Sequence, residues 1–324
     1  MTVHILNQYL WPDCAPTAIY AEQLGLCFQR NGFEVKMISG SGSYRTGTRI
    51  QPALTHCKLP TYTGKRGGVF STLREYQSVY SAFERYIEAE VRENDIVLCT
   101  AAPPQTIHLI KVIKRKKAKG IYRLEDYYPE LLRGFLNYPS WVRKILSGYW
   151  GRQLSQWHKV VKIASNLAYE GDNACVIRNW PTLDLGQPES FQPKTAYYFG
   201  NLGYGHCLQS FLKMCTALRD DGYSVAIVGD GPKVSLLPVW IKKISSPDEA
   251  TLIALHWHAE IHLLAADPKL TGAIFPSKYW NSRLTGRKIV TAGFHGPMLT
   301  ELNEVSALTK LPSPEEWLPI LKSI

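Results

Sequence analysis

The chain has 324 residues, 45% of them hydrophobic and 20% charged, with a formal net charge of +10. That length and composition exclude a disordered or fibrous chain and leave room for two ordinary α/β domains. Seven cysteines are dispersed without a C-x-x-C pair, which points to free thiols rather than a disulfide frame, and no stretch is long and apolar enough to cross a bilayer as a helix.

The charge is uneven. Residues 1–185 hold 24 Lys and Arg against 15 Asp and Glu, and residues 186–324 hold 13 against 12. A cationic first half implies an anionic surface or partner, such as phospholipid, a polyprenyl-phosphate carrier or nucleic acid. Free thiols and a start that reads as a buried strand rather than a signal peptide imply a cytoplasmic chain.

The first strand is predicted over Thr2–Tyr9. After the loop LWPDCAP, apolar Ala18, Ala21, Leu24 and Phe28 at helical spacing predict a helix from Thr17 to Arg30, stopped by Asn31-Gly32. Phe33–Ile38 reads as the second strand. Residues 39–68, rich in Gly, Ser and Thr with Arg45, Arg49, Lys65 and Arg66, read as a long loop. Thr72 with Glu75 suggests a capping box for a helix to Arg92. Asp95–Thr100 is a buried strand, and Pro103-Pro104 opens a helix ending in Lys114–Lys117, cations that complement its dipole. Gly120–Leu124 is a strand that delivers Glu125 and Asp126 to its carboxyl end.

Residues 131–159 interleave Phe135, Trp141, Tyr149, Trp150 and Trp157 with Arg133, Arg143, Lys144, Arg152 and Lys159. That mixture fits contact with an anionic membrane interface, and equally a packed helix with a solvated basic face. Lys159–Ala164 and Ala174–Arg178 read as short strands. The polar, turn-rich 186–194 is the predicted linker between a first domain, 1–185, and a second, 195–324.

The second domain opens on AYYFGNLGYGHCLQSFLKMCTALRDDGYSVAIVGDGP at 196–232. It reads as a strand (Ala196–Phe199), a glycine loop (Gly200–His206), a helix (Cys207–Asp221), a glycine stop, a strand (Ser224–Val228) and a second glycine turn, Gly229–Pro232. Strand–helix–strand with short loops is a parallel βαβ unit, and such units bind ligands at the carboxyl ends of their strands. Two glycine turns at adjacent strand ends, one of them opening a helix, point to a phosphate-bearing ligand; the plainer reading is that the glycines only make tight turns. Val239–Ile244 reads as a strand, Ser246-Pro247-Asp248-Glu249 as a helix start with Ser246 as cap, Ile261–Leu264 and Lys288–Ala292 as strands, and Ser313-Pro314-Glu315-Glu316 as the cap of the last helix. His256, His258 and His262 form H-x-H-x3-H across a helix end and a strand, and are not assigned as a metal site. Cys175, Cys207 and Cys215 read as small buried apolar residues.

Six segments in order, QYLWPDCAPTAIYAEQL at 8–24, EDYYPEL at 125–131, VIRNWPTLD at 176–184, YFGNLGYGH at 198–206, VGDGPK at 228–233 and IFPSKYWNSRLTGRKIV at 274–290, resemble the retaining glycosyltransferases of family 4 and their bacterial surface-polysaccharide branch. The resemblance implies the GT-B fold, an α/β architecture of two Rossmann-like domains facing across a cleft. It implies that Gly200, Asn201 and Gly203 line the diphosphate of a nucleotide-sugar and that Gly229, Asp230, Gly231 and Pro232 lie near the nucleotide. His206, Ser277 and Asn281 complete the donor set, and Lys278 reaches the phosphates or the leaving group. Ala15, Pro16, Thr17 and Ala18 would lie at the acceptor cleft, where Glu125 or Asp126 would orient or deprotonate the acceptor hydroxyl. The bland reading of those two carboxylates is ion pairing with Arg123 or Arg133.

The chain departs from the family pattern at four places. Thr271 and Asn281 stand where two glutamates are usual, and Asn201 and His206 where an Arg and a Lys are usual. The expected activity is transfer of a hexosyl or N-acetylhexosaminyl group to a glycan or lipid-linked acceptor in surface-polysaccharide synthesis, at the inner face of the cytoplasmic membrane. UDP-sugar is favoured over GDP- or dTDP-sugar, with no metal and no further cofactor. A nucleotide-sugar epimerase or hydrolase and a non-catalytic nucleotide- or glycan-binding protein are the alternatives; a nucleic-acid partner is disfavoured.

Overall fold

Runs such as IVLCT at 96–100 and VAIV at 225–228 are apolar on both faces of a strand, which requires a sheet covered on both sides. The computed structural model contains two such sheets, and every strand pairing in both is parallel. The structure describes residues 1–43, 51–64, 68–136, 138–203, 205–245 and 247–324; the loop cations Arg45, Arg49, Lys65 and Arg66, the expected cap Ser246 and the side chain of Phe135 lie outside the described residues.

The chain divides into two units, 1–178 with 312–324, and 179–311. In the first, β1 (Thr2–Leu6), α1 (Pro16–Arg30), β2 (Glu34–Ser39), β3 (Thr55–Lys58), α2 (Val69–Glu90) and β4 (Ile96–Thr100) are followed by a 3₁₀ turn (Pro104–Leu109) running into α3 (Ile110–Arg115). Then come β5 (Lys119–Leu124), α4 (Tyr128–Leu136), α5 (Ser140–Leu154), β6 (Lys159–Lys162) and β7 (Ala174–Val176). The sheet order is β3-β2-β1-β4-β5-β6-β7. Strand order reverses between β1 and β4, the place where open α/β sheets leave a crevice at their carboxyl ends.

In the second unit, β8 (Gln192–Phe199), α6 (Leu208–Asp220), β9 (Ser224–Val228), β10 (Lys242–Ile244), α7 (Glu249–His258) and β11 (Ala259–Ala265) precede α8 (Lys278–Leu284), β12 (Lys288–Ala292) and α9 (Gly296–Ser306). The order β10-β9-β8-β11-β12 reverses between β8 and β11. Tyr198, Phe211, Ile227 and Leu263 are among the residues of its core.

Several local expectations are corrected. The linker at 186–194 is not a separate joint: β8 begins inside it, Leu185 is buried with its carbonyl accepting from Trp257 Nε1 at 2.8 Å, and Arg287 donates to the Glu189 carbonyl at 2.7 Å. These bonds fasten the segment to the second unit, so the division falls after Arg178. The chain end does not belong to the second unit either. Pro314–Trp317, closed by the expected Ser313/Glu316 capping box, packs on α1 with Trp317 fully buried, and α10 (Leu318–Ser323) follows it.

Thr72 and Glu75 are no cap, because α2 begins three residues earlier, after Gly68. Thr72 donates to the Gly68 carbonyl, while Glu75 accepts from Tyr9 Oη at 2.8 Å and Gln8 Nε2 at 3.0 Å. The described cap of α7 is Asp248, which accepts from Thr251 N at 2.7 Å. Trp157 turns inward, buried and donating to the Ile107 carbonyl, so that part of the aromatic–basic run is core. His256 and His262 are core as well: they stack on Phe199 at 3.8 and 5.2 Å, and His262 Nδ1 meets Ser282 Oγ. Among the described residues no group of three or more His, Cys, Asp or Glu converges as metal ligands. Cys207 is only half-buried; it caps α6, and its sulfur accepts from Ser210 Oγ at 3.3 Å.

Candidate functional site

The reversal point between β8 and β11 is where the glycine signals of the sequence come together. Gly200, at φ +101°, turns the chain sharply off β8, and its amide donates to the Val228 carbonyl at 2.7 Å. A Cβ there would meet Lys278 Cε at 2.6 Å, so the missing side chain is the groove in which Lys278 lies. Lys278 opens α8 directly after Ser277 and reaches back to the end of β8.

Three neutral acceptors take the three N–H bonds of the Lys278 ammonium: Tyr198 Oη, the Asn201 carbonyl at 3.1 Å and His206 Nε2 at 3.4 Å. The amine also lies over the Tyr198 ring, 4.6 Å from its centre. No carboxylate pairs with it among the described residues. Burial pushes the Lys278 amine down to about 7, and burial with the neighbouring Lys278 charge pushes His206 down to about 3. His206 is therefore a neutral ring. Its Nε2 lies against Tyr198 Oη and the Lys278 amine, and the Gly203 amide donates to its Nδ1 at 3.1 Å. A cation of intermediate exposure at a glycine turn, with no carboxylate partner among the described residues, can hold an anion.

The second glycine turn, expected near the nucleotide, packs directly on the first. A Cβ on Gly229 would meet the Gly200 carbonyl oxygen at 2.7 Å, and one on Gly231 the Leu202 backbone at 2.7 Å. Leu202 N donates to the Asp230 carbonyl at 2.8 Å, and Lys233 Nζ holds the His206 carbonyl at 2.5 Å. Gly229 and Gly231 are thus glycines because one loop lies backbone to backbone on the other. Their packing positions Gly200–Gly203; Pro232 continues that turn. Gly203 itself is open, with nothing near a notional Cβ.

Asn281 is drawn away from the donor set. Its Oδ1 accepts from Thr182 N at 2.8 Å and Leu183 N at 3.3 Å, clamping the incoming chain to α8. Thr271, at the other glutamate position, bridges the His295 carbonyl and Met298 N at the start of α9. Tyr198, which the sequence reading passed over, is the residue that joins Lys278, Asn201 and His206. Its one sequence signal is a polar tip on the penultimate residue of a buried strand.

In the first unit, β5 delivers Glu125 and Asp126 as expected, but to different surroundings. Glu125 is buried and paired with the equally buried Arg123 at 2.6 Å. Burial raises its carboxyl against the pull of Arg123. Arg133 pairs with Glu130 instead, at 3.6 Å. Asp126 keeps intermediate exposure and, among the described residues, has neither hydrogen bond nor ion pair. Burial, with the Glu125 charge second, pushes it up to about 7. Its charge is felt by Tyr76 on α2, Tyr122 on β5 and Tyr128 on α4. Ala15 and Ala18 are buried under the start of α1, where Asp13 accepts from Ala15 N at 2.8 Å; Pro16 is exposed and Thr17 half-buried.

No protein-family model and no curated protein sequence matches this chain. Solved structures do. Sucrose-phosphate synthase from Thermosynechococcus elongatus superposes with a TM-score of 0.62 at 12% identity, covering 93% of this chain and 83% of its own. Spinosyn forosaminyltransferase SpnP gives 0.56 at 13%, covering 100% and 98%. The pneumococcal O-GlcNAc transferase GtfA, solved with UDP and GlcNAc, gives 0.56 at 8%, covering 93% and 85%. These neighbours are GT-B glycosyltransferases, and two parallel α/β units in this order give the chain the GT-B fold.

Proposed function

We propose that the protein is a glycosyltransferase that takes a nucleotide-sugar at the Gly200–Lys278 site. The observation that carries this reading is Lys278, a lysine without a carboxylate partner, cradled by a glycine turn at the point where the second sheet reverses its order. Transfer from a nucleotide-sugar asks the protein chiefly to position the reactants and to stabilise a departing diphosphate. Lys278 and the Gly200–Gly203 turn serve the diphosphate, and Asp126 serves the acceptor hydroxyl as base. Glu125 anchors that strand end through Arg123.

The finer reading is retaining transfer of a hexosyl or N-acetylhexosaminyl group, from a UDP-sugar in preference to GDP- or dTDP-sugar, to a glycan or lipid-linked acceptor in surface-polysaccharide synthesis. It rests on the family 4 resemblance in six ordered segments. The test is a panel of UDP-, GDP- and dTDP-sugars assayed for turnover and for a thermal shift. Turnover of one donor with an acceptor is expected. Turnover without an acceptor would make the protein a hydrolase or epimerase, binding without turnover would make it a non-catalytic module, and the absence of both turnover and thermal shift would remove the donor site altogether.

Peripheral contact with an anionic membrane through 131–159 belongs to the same proposal. Leu136 on α4 and Trp141, Ile145 and Tyr149 along one line of α5 are exposed, with exposed Lys144 and Arg152 beside them. No helix among the described residues is long and apolar enough to cross a membrane. We expect the protein to sediment with vesicles containing anionic phospholipid, and Trp141→Ser with Ile145→Ser to lower the bound fraction by roughly tenfold, from the apolar area withdrawn. Equal sedimentation of the variant would exclude this face.

A further inference from the structure

We propose that Tyr198 and His206 are positioning residues that hold the Lys278 amine as a cation lacking its counter-ion, so that a nucleoside diphosphate binds together with a proton. The inference rests on the donor-site reading and goes beyond it: it assigns roles to two residues and predicts that the site is loaded by a neutralisation.

The geometry is specific. Tyr198 is fully buried, stacked edge-on against Phe211, so its oxygen is a fixed point at the end of β8. Its hydroxyl lies 2.8 Å from His206 Nε2 and 3.1 Å from the Asn201 carbonyl. Lys278 donates to all three of these oxygen and nitrogen atoms. His206 is held in turn by Gly203 at its other nitrogen and by Lys233 at its carbonyl. The amine is thus directed by groups that are all neutral. Such acceptors orient a cation but do not compensate its charge, and an amine so placed surrenders its proton more readily than one beside a carboxylate.

The other titratable groups around the site do not supply the missing charge. Lys233 is a second cation, bonded to the His206 carbonyl. Asp267, at the end of β11, turns its carboxylate to Lys269 N at 3.0 Å. Asp230, on the neighbouring turn, is not among the causes that displace the Lys278 amine. Burial alone accounts for the displaced titration of Lys278, and with the amine near 7 a large part of it is neutral at pH 8. A diphosphate entering beside Gly200 restores the ammonium, and the proton comes from buffer. His206, near 3, stays neutral throughout.

The experiment is calorimetric titration with UDP at pH 8, in buffers of differing ionisation enthalpy. At that pH the terminal phosphate of UDP is already ionised, so any proton taken up goes to the protein. We expect a net uptake of protons with UDP, from the neutral fraction of an amine that burial has displaced downward. Lys278→Met is expected to bind more weakly with uptake near zero. Tyr198→Phe keeps the ring and removes one of the three acceptors; we expect UDP binding weaker by about five- to tenfold and the midpoint of uptake moved to lower pH, since the free ammonium is then less well supported. His206→Leu should do the same, and His206→Gln, which retains an acceptor, should return both values toward the parent. UDP binding without proton uptake at pH 8, or a Tyr198→Phe variant with unchanged affinity and midpoint, overturns the inference while leaving the donor-site reading in place. Failure of UDP, GDP and dTDP alike to bind removes both.

Discussion

Lys278→Met should lower transfer from the nucleotide-sugar by roughly 10² to 10³ in kcat, the usual consequence of losing one preorganised group that faces developing negative charge. The lysine bonds through its side chain to Asn201 in the turn that follows β8, and His206 is held neutral beside it. Methionine fills the same groove over Gly200 without a charge, so folding should survive where activity does not. Arginine should not substitute. Its planar fork is wider than an ammonium, and the groove exists only because Gly200 has no side chain. Steady-state kinetics with saturating acceptor decide the matter: a kcat/KM for donor within about threefold of the parent would exclude Lys278 from the reaction.

Asp126→Asn should lower kcat by roughly 10²-fold or more, within the range for removal of a positioned base. Its pH signature separates it from a structural effect. Asp126 is protonated below about 7, so the parent rate should fall on the acid side of that value, and the variant should lose this limb. Lys278 supplies the opposite limb. In kcat/KM for donor, deprotonation of the free amine above about 7 weakens binding, giving a bell; in kcat the bound diphosphate keeps the amine charged, and the alkaline limb moves out.

The same substitution should raise stability. Between 3.8 and about 7 the folded chain retains on Asp126 a proton that the unfolded chain has released, so stability declines as pH rises through that window. Asparagine removes the dependence, and the melting temperature of Asp126→Asn at pH 8 should exceed that of the parent. A variant both active and less stable would show that Asp126 is an ordinary structural carboxylate.

These two residues illustrate which inferences survive the passage from residues to structure. Glu125 and Asp126 are adjacent in the chain and equivalent as text. A strand sends neighbouring side chains to opposite sides, and at the end of β5 one meets buried Arg123 while the other has no partner among the described residues. Lys278 and Asn281 lie three residues apart near the start of one short helix. The first bends to the β8 loop; the second ties down the backbone of Thr182 and Leu183. Residue type identified both as polar candidates, and only their distant neighbours separated them.

The alternation of apolar strands and helices, the parallel sheets it requires, the glycine turn after β8 and the Ser313/Glu316 cap were all legible in the sequence, because each depends on backbone and side-chain preferences within a few residues. The tertiary structure alone decided that Gly229 and Gly231 serve loop-on-loop packing, that Tyr198 and His206 hold Lys278, that 186–194 is fastened to the second unit and that 312–324 returns to the first. Each of those depends on a partner far away along the chain, brought close by sheet order and by the burial of residues such as Trp317 and Trp257.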